Sequence, residues 1–343
     1  MRQILWFRRD LRITDSALLH HGEGEVLPIF IFDTNILNKL PKEDKRVTFI
    51  YQSVLKLKKE LQNIGLDLAI FYGEPKDIFR ELQEKYSFDR VLCSCDFDSY
   101  AIGRDKEIES ILPMERLYDS YLIHPNEALK SDGTPYKVFT PFYKSLSFLW
   151  ESKKLEEFTI SQKITKFKYP NERFPTLDDL GFEAQPLPEF LGKDALILIE
   201  EFIPKLENYQ KARDYFYLDG TSKLSVHLRF GLISPKQVFN ILKRYEGSEF
   251  FIRELFWREF YSYILYHFPK SEFENFNHKT IKWDDDREKY IAWCEGKTGV
   301  PIIDAAMRYL NLTGVMHNRL RMIVASFLTK NLFLPWKWGE EYF

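Results

Sequence analysis

Val26-Leu-Pro-Ile-Phe-Ile-Phe32 is a run of large apolar side chains interrupted only by Pro28. It reads as a strand without polar alternation, so both faces must be covered. Its neighbours repeat the scheme. Ile4-Leu-Trp-Phe7 is a first strand, followed by the polar turn Arg8-Arg-Asp-Leu-Arg12. Leu66–Phe71, Arg90–Cys93 and Arg116–Tyr118 supply three more strands. Helical spacings fill Lys45–Ile64, Lys76–Lys85 and Arg104–Ile111 between them. This alternation predicts an α/β domain with a parallel, Rossmann-like sheet. No Gly-x-Gly-x-x-Gly or P-loop follows any of the strands, so the usual dinucleotide fingerprint is missing.

The pattern changes at residue 124. Prolines at 125, 135, 141, 170, 175, 186 and 188 mark a linker or wrap. From about residue 198 the spacing is helical, with segments at Glu200–Lys211, Pro235–Tyr245, Glu249–His267, Tyr290–Cys294, Ile302–Leu312 and His317–Leu332. The expected domains are therefore 1–123 (α/β), 124–197 (linker) and 198–343 (all-α).

Composition is that of a globular protein, 45% hydrophobic and 29% charged. Aromatics are abundant: 30 Phe, 19 Tyr and 7 Trp read as a large core with some rings left for planar ligands. Cys93, Cys95 and Cys294 form neither a disulfide framework nor a metal quartet. The N-terminus has no signal-peptide run, and no stretch approaches the ~20 apolar residues of a membrane span, which predicts a cytoplasmic protein. Net charge is −2, but residues 201–343 hold 21 Lys+Arg against 18 Asp+Glu, a weak tilt toward a polyanion partner.

Three constellations carry chemistry. Asp219-Gly-Thr-Ser-Lys-Leu-Ser225 follows Tyr209 and Arg213-Asp214, and Gly220 permits a tight turn. At a helix N-terminus its hydroxyls and Lys223 would grip a diphosphate; the same residues also suit ordinary helix caps. In Arg253-Glu-Leu-Phe-Trp-Arg-Glu-Phe-Tyr261, Glu254, Trp257, Arg258 and Tyr261 share a helix face. They read as a Glu254–Arg258 pair beside a packed Trp, or as a base-stacking platform with a carboxylate for a base edge. In Met316-His-Asn-Arg-Leu-Arg-Met322, polar groups lie among apolar ones, which calls for a ligand or a buried partner. Asn318, Arg321 and Met322 share a face that could meet a ring system, while Arg319 reaches a phosphate; a polar helix junction is the other reading.

These segments, with Trp6-Phe-Arg-Arg-Asp-Leu-Arg12, Tyr136-Lys-Val-Phe-Thr-Pro-Phe142 and Trp293-x-x-Gly-x-Thr-Gly-x-Pro301, resemble the photolyase/cryptochrome family from residue 4 to residue 343. The Met316–Met322 form is most similar to bacterial class I cyclobutane pyrimidine dimer photolyases. The resemblance implies an all-α FAD-binding domain, with FAD held by Tyr209, Thr221, Ser222, Lys223, Leu224, Ser225, Arg258 and Arg321. It implies phosphate contacts from Arg213 and Arg319 to UV-damaged DNA. It places a flipped dimer against Glu254, Trp257, Asn318 and Met322, and electron transfer at Trp283 and Trp336. Blue light would excite reduced FAD, an electron would pass to the dimer, the ring would split, and the electron would return. Glu254 would stabilise the dimer radical anion.

A monomer is expected. The family's antenna chromophore is a folate or a deazaflavin, and no antenna residue is assigned: Asp98–Asp105 lies in the usual place but lacks the Asn-Glu pair of folate binders. The family continues past the position of Phe343, with aspartates for the isoalloxazine, one of them the partner of Arg321. The expectation is thus a C-terminally truncated chain with weakened flavin binding. Two alternatives stand beside repair: a cryptochrome-like blue-light receptor and an inactive truncated product.

Overall fold

The computed structural model describes residues 1–151, 155–170, 173–276 and 280–343. β1 (Arg2–Phe7), β2 (Gly24–Asp33), β3 (Ala69–Gly73), β4 (Arg90–Ser94) and β5 (Met114–Leu117) form a parallel sheet in the order β3-β2-β1-β4-β5. The helices α1 (Lys45–Asn63), α2 (Pro75–Tyr86) and α3 (Ser99–Glu109) cover it. The period of two decides which residue meets which helix. Leu5, Phe7 and Phe30 join Val54, Leu57 and Leu61 of α1 in one core. Ile4, Trp6 and Ile29 join Phe79 and Leu82 of α2 and Ile108 of α3 in the other.

The segment 124–197, expected as a linker, adds a strand of its own. β6 (Ile164–Lys166) pairs with Gly24–Val26, on β2, while β3 pairs with Ile29–Asp33. Pro28, which cannot donate to a ladder, falls in the gap between these two partners. The helix expected at Glu200–Lys211 is split into Ala195–Phe202, a 3₁₀ turn Ile203–Lys205 and α4 (Leu206–Ala212). Pro204 is the cause, because its ring and missing N–H cannot continue an α-helical ladder.

The helical half continues with α5 (Ser248–His267), α6 (Arg287–Glu295), α7 (Pro301–Thr313), α8 (Asn318–Ser326) and α9 (Trp336–Tyr342). The helix expected over His317–Leu332 ends at Ser326 and widens into a π-helical turn at Phe327–Asn331. Trp293 organises this end: its indole is fully buried and donates to Val324 O at 3.1 Å. No helix among the described residues is long and apolar enough to cross a membrane.

The polar turn after β1 joins the two halves. Leu11 N donates to Phe230 O at 3.1 Å, and Arg12 donates to Gly231 O at 3.2 Å. Gly231 has φ +65°, and a Cβ there would stand 2.2 Å from Arg9 O. Gly231→Ala is therefore expected to cost about 2–4 kcal/mol, combining left-handed strain with a backbone clash. Denaturant unfolding, with the midpoint compared to wild type, measures it.

Candidate functional site

Three elements converge: α5, the loop after α4, and the start of α8. Glu254 on α5 is hydrogen-bonded and ion-paired with Arg213, at the end of α4. The Arg213 guanidinium lies over Tyr209, 5.7 Å from the ring centroid. Burial, reinforced by the charge of Glu254, pushes the Tyr209 hydroxyl up to about 12. Arg213 Nε is buried without an acceptor among the described residues.

One helical turn along α5, Trp257 stacks on Phe139 with centroids 3.7 Å apart and planes at 8°. Tyr261 stacks on the same indole at 5.8 Å and is 67% exposed. The platform is thus a built stack. Its base is Phe139, within the Tyr136–Phe142 motif, a partner that sequence reading did not assign.

Arg258 does not pair with Glu254; it donates to Ser120 O at 2.6 Å and to Leu228 O at 3.3 Å. Leu228 belongs to the short helix Ser225–Arg229, so Arg258 braces that helix from behind the hydroxyl run. Next to it, Glu259 is buried and accepts from Leu122 N at 2.9 Å. Burial pushes its carboxyl up to about 7, against the opposing pull of Arg258 and two backbone N–H groups. The folded state therefore holds a proton that the unfolded state releases near its ordinary value. Stability contributed by this group is present at low pH and falls as pH rises through the window from 4.5 to about 7. Glu259→Gln is expected to flatten this slope, gaining roughly 3 kcal/mol at pH 8 relative to pH 4. Unfolding curves at the two pH values test it.

The hydroxyl run precedes its helix rather than opening it. The helix starts at Ser225, with Leu224 at the cap and no side-chain cap bond, so Thr221 and Ser222 do not serve as N-caps. Ser222 and Leu224 are buried, Thr221 is half-buried, and Ser225 is exposed. Lys223 adopts φ +57° and turns its ammonium to Asp219 at 2.7 Å, where a carboxylate competes with any anion.

On α8, His317 is the N-cap: its Nδ1 accepts from Arg319 N at 3.1 Å, and its Nε2 is buried without a partner among the described residues. Burial, then the charge of Arg319, lowers its basicity. Arg319 Nε donates to Asp214 Oδ1 at 2.7 Å. Asn318 is exposed and Met322 is 55% exposed. Arg321 is half-buried with no ion pair among the described residues; its guanidinium rests 5.0 Å from the Phe343 ring, and burial lowers its pKa.

Arg213-Asp214 thus ties Glu254 to Arg319, and Gly220, packed on Ala212, brings the hydroxyl run to the same loop. Trp283 and Trp336 have separate partners. Trp283 packs on Phe333 at 5.3 Å, and Trp336, opening α9, donates to Asn275 Oδ1 at 2.9 Å. Asp304 was missed by sequence reading. It accepts from Thr298 N at 2.7 Å and Gly299 N at 3.0 Å, which explains the Trp293–Pro301 motif as a loop clamp. The nearby Thr-Gly before a helical Pro was the available signal.

Comparison with known proteins agrees with this architecture. The family model for DNA photolyase matches residues 3–158, and that for the FAD binding domain of DNA photolyase matches residues 251–343. A deoxyribodipyrimidine photo-lyase of Synechococcus sp. is 31% identical over 99% of this chain and 76% of its own length. An archaeal photolyase from Sulfolobus tokodaii, solved with two FAD molecules, superposes with TM-score 0.86 at 31% identity, covering all of this chain and 78% of that one. A cryptochrome of Synechocystis sp. gives TM-score 0.88 at 25% identity, again over 100% of this chain and 78% of that one. The chain belongs to the DNA photolyase family.

Proposed function

We propose that this chain binds FAD and repairs cyclobutane pyrimidine dimers in UV-damaged DNA by light-driven electron transfer. The carrying observation is the partly exposed Glu254, held by Arg213 one turn from the stacked Trp257. A carboxylate beside an aromatic platform suits a base drawn out of the helix, whose edge donates and whose face stacks. Asn318 and Met322, on the same helix as Arg319, complete the pocket in this reading. Arg213 and Arg319 face the strand's phosphates, exchanging Glu254 and Asp214 for them.

The residues present suit a flavin dinucleotide. Arg213 Nε and His317 Nε2 are buried without partners, and Arg321 has no carboxylate among the described residues. These donors, taken with the hydroxyls of Thr221, Ser222 and Ser225, suit a diphosphate and a ring rich in acceptors. Tyr209, Thr221–Ser225 and Arg321 would hold the group, with Arg258 bracing the run from behind. When bound, reduced FAD supplies a light-excitable electron donor. Trp283 and Trp336 would re-reduce it. The α/β domain, residues 1–123, would carry any antenna, with 124–197 joining it to 198–343. We place the protein in the cytoplasm as a monomer.

The cryptochrome neighbour supports a second reading, a blue-light receptor without repair. Both readings expect the purified chain to show flavin absorbance. Only the first expects tighter binding to a UV-irradiated oligonucleotide than to the same strand unirradiated. Equal binding of the two strands would remove the repair reading.

A further inference from the structure

Residues 213–219 form a loop with a fixed neck and a bare aromatic tip. Gly220 closes the neck: a Cβ there would stand 2.7 Å from the Cβ of Ala212. Asp219 is gripped by Lys205 at 2.8 Å and by Lys223 at 2.7 Å. Two successive turns shape the tip, Tyr215 N to Ala212 O and Leu218 N to Tyr215 O, both 3.0 Å. Phe216 sits edge-on to His317 at 6.4 Å, and Asp214 holds Arg319, so the loop is braced on the start of α8. Yet Tyr215 and Tyr217 remain 51% and 76% exposed, their rings 5.8 Å apart. The loop is anchored by its neck and does not need these rings for its own stability. Large apolar groups presented on a fixed frame mark a binding surface.

The surroundings select the occupant. Arg213 and Arg319 flank the loop, each half-exposed and each balanced by one carboxylate that an incoming phosphate can displace. Arginines on either side of exposed aromatic rings fit a nucleic-acid strand, whose phosphates meet the guanidiniums while its bases stack. The apolar tip is only four residues long, Tyr215–Leu218, and is bounded by Asp214 and Asp219, which is small for a protein partner's face. We propose that Tyr215 and Tyr217 stack on unpaired bases of the damaged strand beside the lesion, so that the loop 213–219 is a base clamp. This rests on the damaged-DNA reading above and adds residues to it.

The test is fluorescence anisotropy with a dimer-containing single strand and its undamaged counterpart. Wild type, Tyr217→Ala, Tyr217→Leu, Tyr217→Phe and the Tyr215→Ala/Tyr217→Ala double variant are compared. Tyr217→Ala and Tyr217→Leu are expected to bind about 5- to 150-fold more weakly, the range that stacking on one ring spans, and Tyr217→Phe to bind like wild type. The Leu and Phe variants keep apolar area but differ in the π-face, so their contrast separates stacking from folding. If wild type prefers damaged DNA and all variants bind equally, the clamp is wrong and the damaged-DNA reading stands. If wild type shows no preference for the damaged strand, that reading falls and the clamp falls with it. If sedimentation shows wild-type dimers that the double variant dissociates, the tip serves a second copy and the clamp is overturned.

Discussion

Arg12→Leu is expected to destabilise the protein by about 3–5 kcal/mol, enough to remove a large fraction of an ordinary domain's stability. Arg12 and Asp119 are both buried and meet at 2.7 Å. The same guanidinium also donates to Asp15 O at 2.7 Å and to Gly231 O, so it ties the sheet to the helical half. Without it, the Asp119 carboxylate keeps, among the described residues, the Ala17 N–H at 3.1 Å. Asp10 stands close by, its carboxyl already pushed up to about 6 by burial and by the charge of Asp119. Removing the cation leaves two buried acids facing each other. The cheapest relief is to take up a proton, so the deficit should shrink toward pH 5 and be largest near pH 8. Denaturant midpoints at both pH values check this, and a loss under about 1 kcal/mol would mean that the pair is solvated.

The second large effect falls on the site. Glu254→Ala is expected to weaken binding of a dimer-containing strand by about 1.5–3 kcal/mol, the value of a hydrogen bond to a charged group. It also frees Arg213 from its counter-ion, which by itself favours phosphate. Binding of undamaged DNA should therefore rise slightly while preference for the lesion collapses. A double-mutant cycle with Arg213→Ala separates the two effects. If both strands lose affinity equally, Glu254 acts through folding and not through a base edge.

Much of the α/β half was legible because burial on both sheet faces leaves long apolar runs such as Val26–Phe32, and helices between them keep their own spacing. β6 was not legible: Ile164–Lys166 is short, its Thr and Lys are exposed, and only its pairing with β2 makes it a strand. The stop of α8 at Ser326 was equally hidden, since Phe327 and Leu328 of the π turn that follows continue the apolar spacing.

At the site, spacing found Glu254, Trp257 and Arg258 on one helix but could not say whom each would meet. The pair Glu254–Arg213 spans 41 residues, and Trp257 stacks on Phe139 from the segment expected to be a linker. Helical spacing offered Arg258 as a partner for Glu254, yet the carbonyls of Ser120 and Leu228 claim it. The hydroxyls of Thr221 and Ser222 looked like helix caps because capping and anion binding use the same residue types.

Light-driven loss of cyclobutane dimers from a UV-irradiated oligonucleotide tests the central claim most directly. The flavin-loaded, chemically reduced chain is illuminated with blue light, and remaining dimers are measured against a dark control. Dimer loss is expected in the light, none in the dark, and a strongly reduced rate for Glu254→Ala. Flavin-loaded protein that binds the strand but leaves its dimers intact under illumination would contradict it.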